Sequence, residues 1–176
     1  MRRAGNQVLI MVADGLGHGP DAAAAAEEAI RVFRQSRVVG PADLLGEMHA
    51  ALRSTRGAAV AVAAIDREKA EIRYAGVGNI SATVLLDEET RSMVSHNGTL
   101  GHEVRKIQEF QYPWRSDGLV IMQSDGLQTH WRLDRYPGLT SRDPAVIAGL
   151  LYRDFSRRRD DVTVVAVREN HEAGEQ

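Results

Sequence analysis

The stretch that decides the fold is Val8-Leu9-Ile10-Met11-Val12-Ala13-Asp14-Gly15-Leu16-Gly17-His18-Gly19-Pro20. Val8 to Val12 are apolar without alternation, so Gln7 to Ala13 reads as a strand buried on both faces. It delivers one carboxylate, Asp14, to its end. Three glycines follow within five residues, and Pro20 suits the first turn of an alanine-rich helix expected over Asp21 to Gln35. Strand, acid, glycine turn and helix together hold a carboxylate at an open mouth, where backbone groups also approach a ligand. Two later stretches present acids in the same way: Ser124-Asp125-Gly126-Leu127 and Arg159-Asp160-Asp161-Val162-Thr163.

Outward from this stretch, the many alanines of the first helix imply close packing on a sheet, with Ala26, Ile30 and Phe33 expected on one face. Gly40-Pro41 breaks the chain, and a second helix is expected from Ala42 to Arg53 with Leu44, Leu45, Met48 and Leu52 inward. From Gly57 the texture turns to strands. Ala58 to Ile65 and Ala70 to Ala75 form a hairpin around Asp66-Arg67-Glu68-Lys69. Further strands are expected at Ile80 to Leu86, Arg91 to Val94, Glu103 to Tyr112 and Gly118 to Gln123, with Ser95 to Gly101 a loop. A short helix is expected from Gly126 to Trp131. Asp143-Pro144 opens another to Arg157, with Val146, Ile147, Leu150 and Leu151 inward. A last strand is expected over Asp161 to Val167. Residues 1–6 are expected to fray, residues 1–168 to form one domain, and 169–176 to be a polar tail. This order of elements argues α+β, with helices covering sheet faces.

Composition narrows the function classes. A net charge of -2 gives no electrostatic case for nucleic acid or an anionic membrane as partner. The one basic run, Arg157-Arg158-Arg159, reads either as a solvated helix end or as a phosphate-attracting rim beside Asp160. The absence of cysteine removes disulfides, thiolate metal sites and a cysteine nucleophile together. No run approaches the roughly 20 apolar residues of a membrane span, and no signal peptide is visible, so a cytoplasmic location is expected.

Asp14, Asp125 and Asp160 each sit at the edge of an apolar strand, far apart in sequence. Taken singly, each reads first as the start of a turn. Taken together they suit a hard divalent cation such as Mg2+ or Mn2+, which takes oxygen ligands and keeps several waters. The glycine after Asp14 also lets the Gly15 carbonyl come within ligand distance.

Four motifs in order, Ala13-Asp14-Gly15-Leu16-Gly17-His18-Gly19, Gly76-Val77-Gly78-Asn79-Ile80, Ser124-Asp125-Gly126-Leu127 and Asp160-Asp161-Val162-Thr163-Val164, resemble the SpoIIE-like branch of the metal-dependent (type 2C, PPM) serine/threonine protein phosphatases. The similarity runs from about Val8 to Val167, and the short length and Ala-Asp-Gly-Leu-Gly form look most like the RsbX type. The resemblance implies a four-layer α-β-β-α sandwich with two Mn2+ or Mg2+ ions at one end of the paired sheets. It implies that Asp14 bridges both ions, that the Gly15 carbonyl helps bind one, and that Asp125 and Asp160 hold the other, with Asp161 the alternative to Asp160. It further implies attack on phosphorus by a metal-bridged hydroxide, without a covalent enzyme intermediate.

The resemblance also sets expectations about what is missing. Family members usually carry a Gly-Asp pair on a strand before the first motif, yet none of the thirteen residues before Asp14 is acidic. The usual first N-terminal strand is therefore expected to be absent, leaving an open sheet edge. The implied function is dephosphorylation of a partner regulator, a phosphorylated STAS-domain or anti-sigma-antagonist type protein, in a bacterial stress-response switch. The alternative is a catalytically impaired phosphatase-fold module that binds its partner. His18 reads as a proton-transfer residue or a solvated loop residue, Asn79 as a turn former, and Trp114 and Trp131 as packing.

Overall fold

The computed structural model describes residues 1–87, 89–157 and 160–169. In chain order the elements are β1 (Arg2–Ala4), β2 (Gln7–Gly15), α1 (Pro20–Gln35), α2 (Pro41–Ala51), β3 (Ala58–Asp66), β4 (Glu71–Val77), β5 (Ser81–Leu86), β6 (Glu89–Met93), β7 (Phe110–Pro113), β8 (Leu119–Gln123), α3 (Pro144–Phe155) and β9 (Val164–Arg168). Short 3-10 turns occupy Leu52–Ser54, Leu133–Arg135 and Leu139–Ser141. The strands form two antiparallel sheets, β1-β2-β3-β4-β7 and β6-β5-β8-β9. The α+β sandwich is as expected.

Three apolar layers explain the four-layer stack. On β2, Leu9, Met11 and Ala13 pack with α1 and α2, while Val8, Ile10 and Val12 pack toward the second sheet. That two-sided burial is why the strand shows no alternation. β3 splits in the same way: Ala58, Val60, Val62 and Ala64 face the helices, and Ala61, Ala63 and Ile65 the other sheet. The second sheet turns Leu119 and Ile121 to α3, which meets them with Ile147 and Leu151.

Several elements differ from expectation. Residues 1–6 do not fray: Arg2–Ala4 pairs with β2 in the register Arg2↔Leu9, around a turn in which Gly5 has φ 57°. The Arg2 guanidinium holds this strand by donating to the Val38 carbonyl and lying 5.3 Å over the Phe33 ring. β1 thus covers Gln7 to Leu9, and no described strand pairs with the β2 edge from Ile10 to Gly15. In α1 the buried stripe is Ala22, Ala25, Ala29, Val32 and Phe33, whereas Ile30 is exposed. Methyl-sized side chains win the inner face because the helix sits close on the sheet. In α3, Ile147 and Leu151 are buried but Val146 is exposed.

Only the last residues of the expected Glu103–Tyr112 strand are strand; Val104 makes an isolated bridge to Gly98 instead. No helix follows Asp125. There Leu127 bridges Ser156 and the Gln128 amide donates to the Phe155 carbonyl, so the backbone is satisfied outside a helix. The last strand begins at Val164, leaving Asp160 to Thr163 as a loop. Of the expected tail, Glu169 pairs with Arg67, and residues 170–176 lie outside the described residues, as do Arg158 and Arg159. Among the described residues no helix is long and apolar enough to cross a membrane.

Candidate metal centre

Asp14, Gly15, Asp125 and Asp160 line one cavity of about 480 Å³. They reach it from three segments. Asp14 and Gly15 end β2 in the first sheet, Asp125 follows β8 in the second, and Asp160 precedes β9 beside β8. The carboxylates therefore meet across the seam between the sheets.

Local sequence explains each arrival. Gly15 is buried, and a Cβ there would stand 1.9 Å from the Ala22 carbonyl oxygen. Only glycine lets α1 turn back this closely against the end of β2. Gly126 plays the matching part on the second sheet, since its Cβ would stand 2.2 Å from the Asp161 carbonyl oxygen. That contact seats the Asp160-Asp161 loop on the Ser124-Asp125-Gly126 turn. Ser124, 3% exposed, fastens the two: its Oγ accepts from the Thr163 amide at 3.0 Å, and its own amide donates to the Thr163 carbonyl at 3.1 Å. The two acids on the second sheet are thus held as one unit.

The electrostatics are unbalanced. Burial, and then the charges of Asp125, Asp160 and Asp161, push the Asp14 carboxyl up from 3.8 to about 6. Among the described residues, none that lines the cavity is cationic. The neutral donor is Asn79, whose Nδ2 donates to Asp125 Oδ2 at 2.6 Å. A concentration of carboxylate oxygens with one buried glycine backbone, and no cationic side chain among the described lining residues, fits one or more hard divalent cations. Among the described residues no three acid or imidazole groups stand close enough to form a ready-made metal cluster. Asp160 Oδ1 accepts from the Asp161 amide at 2.9 Å, which leaves its other oxygen for the cavity.

Asp161 does not line the cavity, although its charge is felt at Asp14; it contributes its carbonyl to the Ser124 hydroxyl at 3.4 Å. His18 is exposed on the glycine turn and stands apart from the cavity lining. Beside it, Arg56 pairs with Asp21 at 3.1 Å across the turn, a solvated pair worth about 0–1 kcal/mol. The sequence did not point to the loop residues Asn97, Gly98 and Thr99 as part of the lining. Their available signal was a short polar, glycine-punctuated loop between apolar segments. The loop is fixed by the His96 amide donating to the Gly76 carbonyl and the Gly78 amide donating to the His96 carbonyl, each at 2.9 Å. Asn79 does more than form a turn, since it also holds an acid. Trp114 is core, 3% exposed, and Trp131 stands at the rim of a neighbouring groove.

Two helix-covered antiparallel sheets with acids at one end of their seam define the PP2C-type, or PPM, phosphatase fold. Within that class the chain belongs to the SpoIIE family: the model for stage II sporulation protein E matches residues 4–170. A chain solved in work on the bacterial stressosome, a modular system adapted to control secondary messenger signaling, superposes with a TM-score of 0.87 at 29% identity, covering 95% of this chain and 88% of that one. RsbX in complex with magnesium gives 0.71 at 20% identity over 94% and 83%. The PP2C domain with a regulatory-domain fragment of SpoIIE from Bacillus subtilis gives 0.71 at 20% identity over 92% and 54%. The last two show a shared fold. No protein of curated function matches the chain by sequence.

Proposed function

We propose that this protein is a metal-dependent serine/threonine protein phosphatase acting in a cytoplasmic bacterial stress-signalling switch. The observation that carries the reading is the convergence of Asp14, Asp125 and Asp160 on one cavity with no cationic lining residue among those described. Asp14, the Gly15 carbonyl, Asp125 and Asp160 are the groups to hold two divalent cations, Mn2+ or Mg2+. Such ions, when bound, lower the pKa of a shared water and neutralise phosphoryl oxygens.

The chain's own residues supply the rest. Asp14, half-buried and repelled by its neighbours, gives up its excess proton affinity when positive charge arrives. Asn79 orients Asp125, and the Ser124 hydroxyl keeps the Asp125 and Asp160 segments in register. The open mouth beside Leu16 and Gly17 admits a phosphorylated side chain. The substrate class we assign is a phosphorylated regulatory protein of the STAS-domain or anti-sigma-antagonist type. The stressosome and RsbX relatives support that partner class.

The absence of a ready-made three-group cluster among the described residues favours a second reading, a phosphatase-fold module that binds its partner without turnover. One experiment separates them: p-nitrophenyl phosphate hydrolysis with Mn2+, with Mg2+ and with EDTA, beside Asp14→Ala and Asp125→Ala. The expected outcome is metal-dependent turnover lost in both variants. A folded protein with no turnover in any metal sinks the enzyme reading and leaves the binding module.

A further inference from the structure

The outer face of the second sheet changes character along its length. Toward one end, Leu85, Leu119 and Ile121 lie under α3. Toward the metal end, the same face carries Ser81 and Thr83 on β5, Ser92 on β6 and Gln123 on β8, and α3 does not cover them. The polar positions are in register, since Thr83 pairs with Ser92 and Ser81 with Gln123. They floor a groove of about 390 Å³, walled by Thr129, His130 and Trp131.

Three properties say what this groove takes. It is continuous with the acid-lined cavity, because Gly78 and Asn79 line both. Among the described residues that line it, none is Asp, Glu, Lys or Arg, in contrast to the cavity beside it. Its wall is preset: Trp131 Nε1 donates to the buried Gln123 Oε1 at 2.5 Å, and Gln123 Nε2 donates to the Gln128 carbonyl at 3.3 Å, which fixes the indole plane. A floor crossing three strands spans about 10 Å, the length of about three extended residues. Hydroxyls and amides on a pleated floor beside a fixed aromatic wall match peptide groups and small uncharged side chains, and reject none of them by charge.

We infer that the groove floored by Ser81, Thr83 and Ser92 and walled by Trp131 binds the extended, uncharged segment flanking the phosphorylated residue of a protein substrate, while that residue's phosphoryl group enters the adjoining cavity. The inference rests on the phosphatase reading above. It assigns discrimination between a phosphoprotein and a small phosphoester to side chains that touch neither the metal ligands nor the phosphoryl group.

The test compares three probes at saturating Mn2+: p-nitrophenyl phosphate, N-acetyl-phosphothreonine amide, and a heptapeptide with phosphothreonine flanked by alanine and serine. Two variants fill the groove from different elements, Ser92→Trp on β6 and Thr129→Trp on the wall loop, so that one remains if the other does not fold. The wild-type protein is expected to turn over the peptide with a kcat/KM at least roughly tenfold above the capped amino acid. Each folded variant is expected to lose roughly that factor on the peptide, through KM, while its kcat/KM on the two small probes stays within about twofold. A wild-type protein that treats peptide and capped amino acid alike overturns the inference, as do variants that leave peptide turnover intact or reduce all three probes equally. No metal-dependent turnover of any probe overturns the phosphatase reading itself, a result distinct from failure of the groove alone.

Discussion

Asp14 is stressed in the metal-free protein, and the stress has a measurable sign. Its folded carboxyl is pushed up from 3.8 to about 6, chiefly because it is buried and then because the charges of Asp125, Asp160 and Asp161 reach it. The folded chain therefore holds a proton that the unfolded chain has released between about pH 4 and pH 6. Stability associated with Asp14 is present below the unfolded value and is lost as pH rises through the folded one. Two units correspond to about 3 kcal/mol at most; for a half-buried group screened by solvent, about half of that is the appropriate figure. Asp14→Asn keeps the shape and removes the charge. In EDTA at pH 7.5 it is expected to unfold about 3–6 °C above the wild-type protein, taking about 2–4 °C per kcal/mol for a chain of this size. The difference is expected to shrink as pH falls through 6 and to close only below 3.8, where the carboxyl is protonated in the folded and the unfolded chain alike. Comparing the two proteins at each pH cancels every other titrating group. Added Mn2+ is expected to raise the wild-type Tm and leave the variant unmoved. Differential scanning fluorimetry across pH reads all of this. A variant no more stable than wild type at pH 7.5, or a difference independent of pH, refutes the account of the acid cluster.

Other expectations follow from single contacts. Ser124→Ala strips the Thr163 amide of its buried acceptor and is expected to cost about 1–3 kcal/mol in denaturant unfolding. Gly126→Ala forces a methyl against the Asp161 carbonyl oxygen, and is expected to cost about 1–3 kcal/mol and weaken Mn2+ binding in calorimetry as the Asp160 loop lifts. Asn79→Ala, at an exposed position, is expected to leave metal-free stability within about 0.5 kcal/mol. The same variant is expected to lower Mn2+ affinity by roughly 10–100-fold, because it frees Asp125. On α3, Ile147→Ala is expected to cost about 2–5 kcal/mol, whereas Val146→Lys is expected to fall within about 0.5 kcal/mol, since only the first is buried.

Much of the sandwich was legible because its signals are local. An apolar run with no alternation marks β2, a polar tip between two small-residue strands marks the β3–β4 hairpin, and Asp143 before Pro144 caps α3, where its Oδ1 accepts from the Ala145 amide at 2.7 Å. The inner face of α1 was not legible, because an alanine-rich helix offers little hydropathic contrast. Fit against the sheet chose Ala22, Ala25 and Ala29 over the larger Ile30. Glu103 to Glu109 holds no glycine or proline to mark a turn and so reads as strand, yet Val104 bridges Gly98 and the chain rejoins the first sheet only at Phe110. In the candidate site the strand-end acids could be picked out one by one. That Ser124 would tie Asp125 to the loop bearing Asp160, or that Asn97 to Thr99 would line the same cavity, depends on segments some forty and thirty residues apart meeting in space. Spacing along the chain carries no record of that.

The seam between the sheets has a consequence of its own. Asp14 rides on one sheet, and Asp125 and Asp160 ride together on the other, so their separation is a gauge of how far apart the sheets stand. That gap is filled by Ile10, Val12, Ala61, Ala63 and Tyr74 from one side and Ala82, Val84, Val120 and Met122 from the other. A layer packed to this extent leaves little slack, and a single added methylene in it, well away from any acid, alters the distance between the carboxylates of the two sheets. The spacing of the proposed metal ligands is thereby written into the thickness of an apolar core.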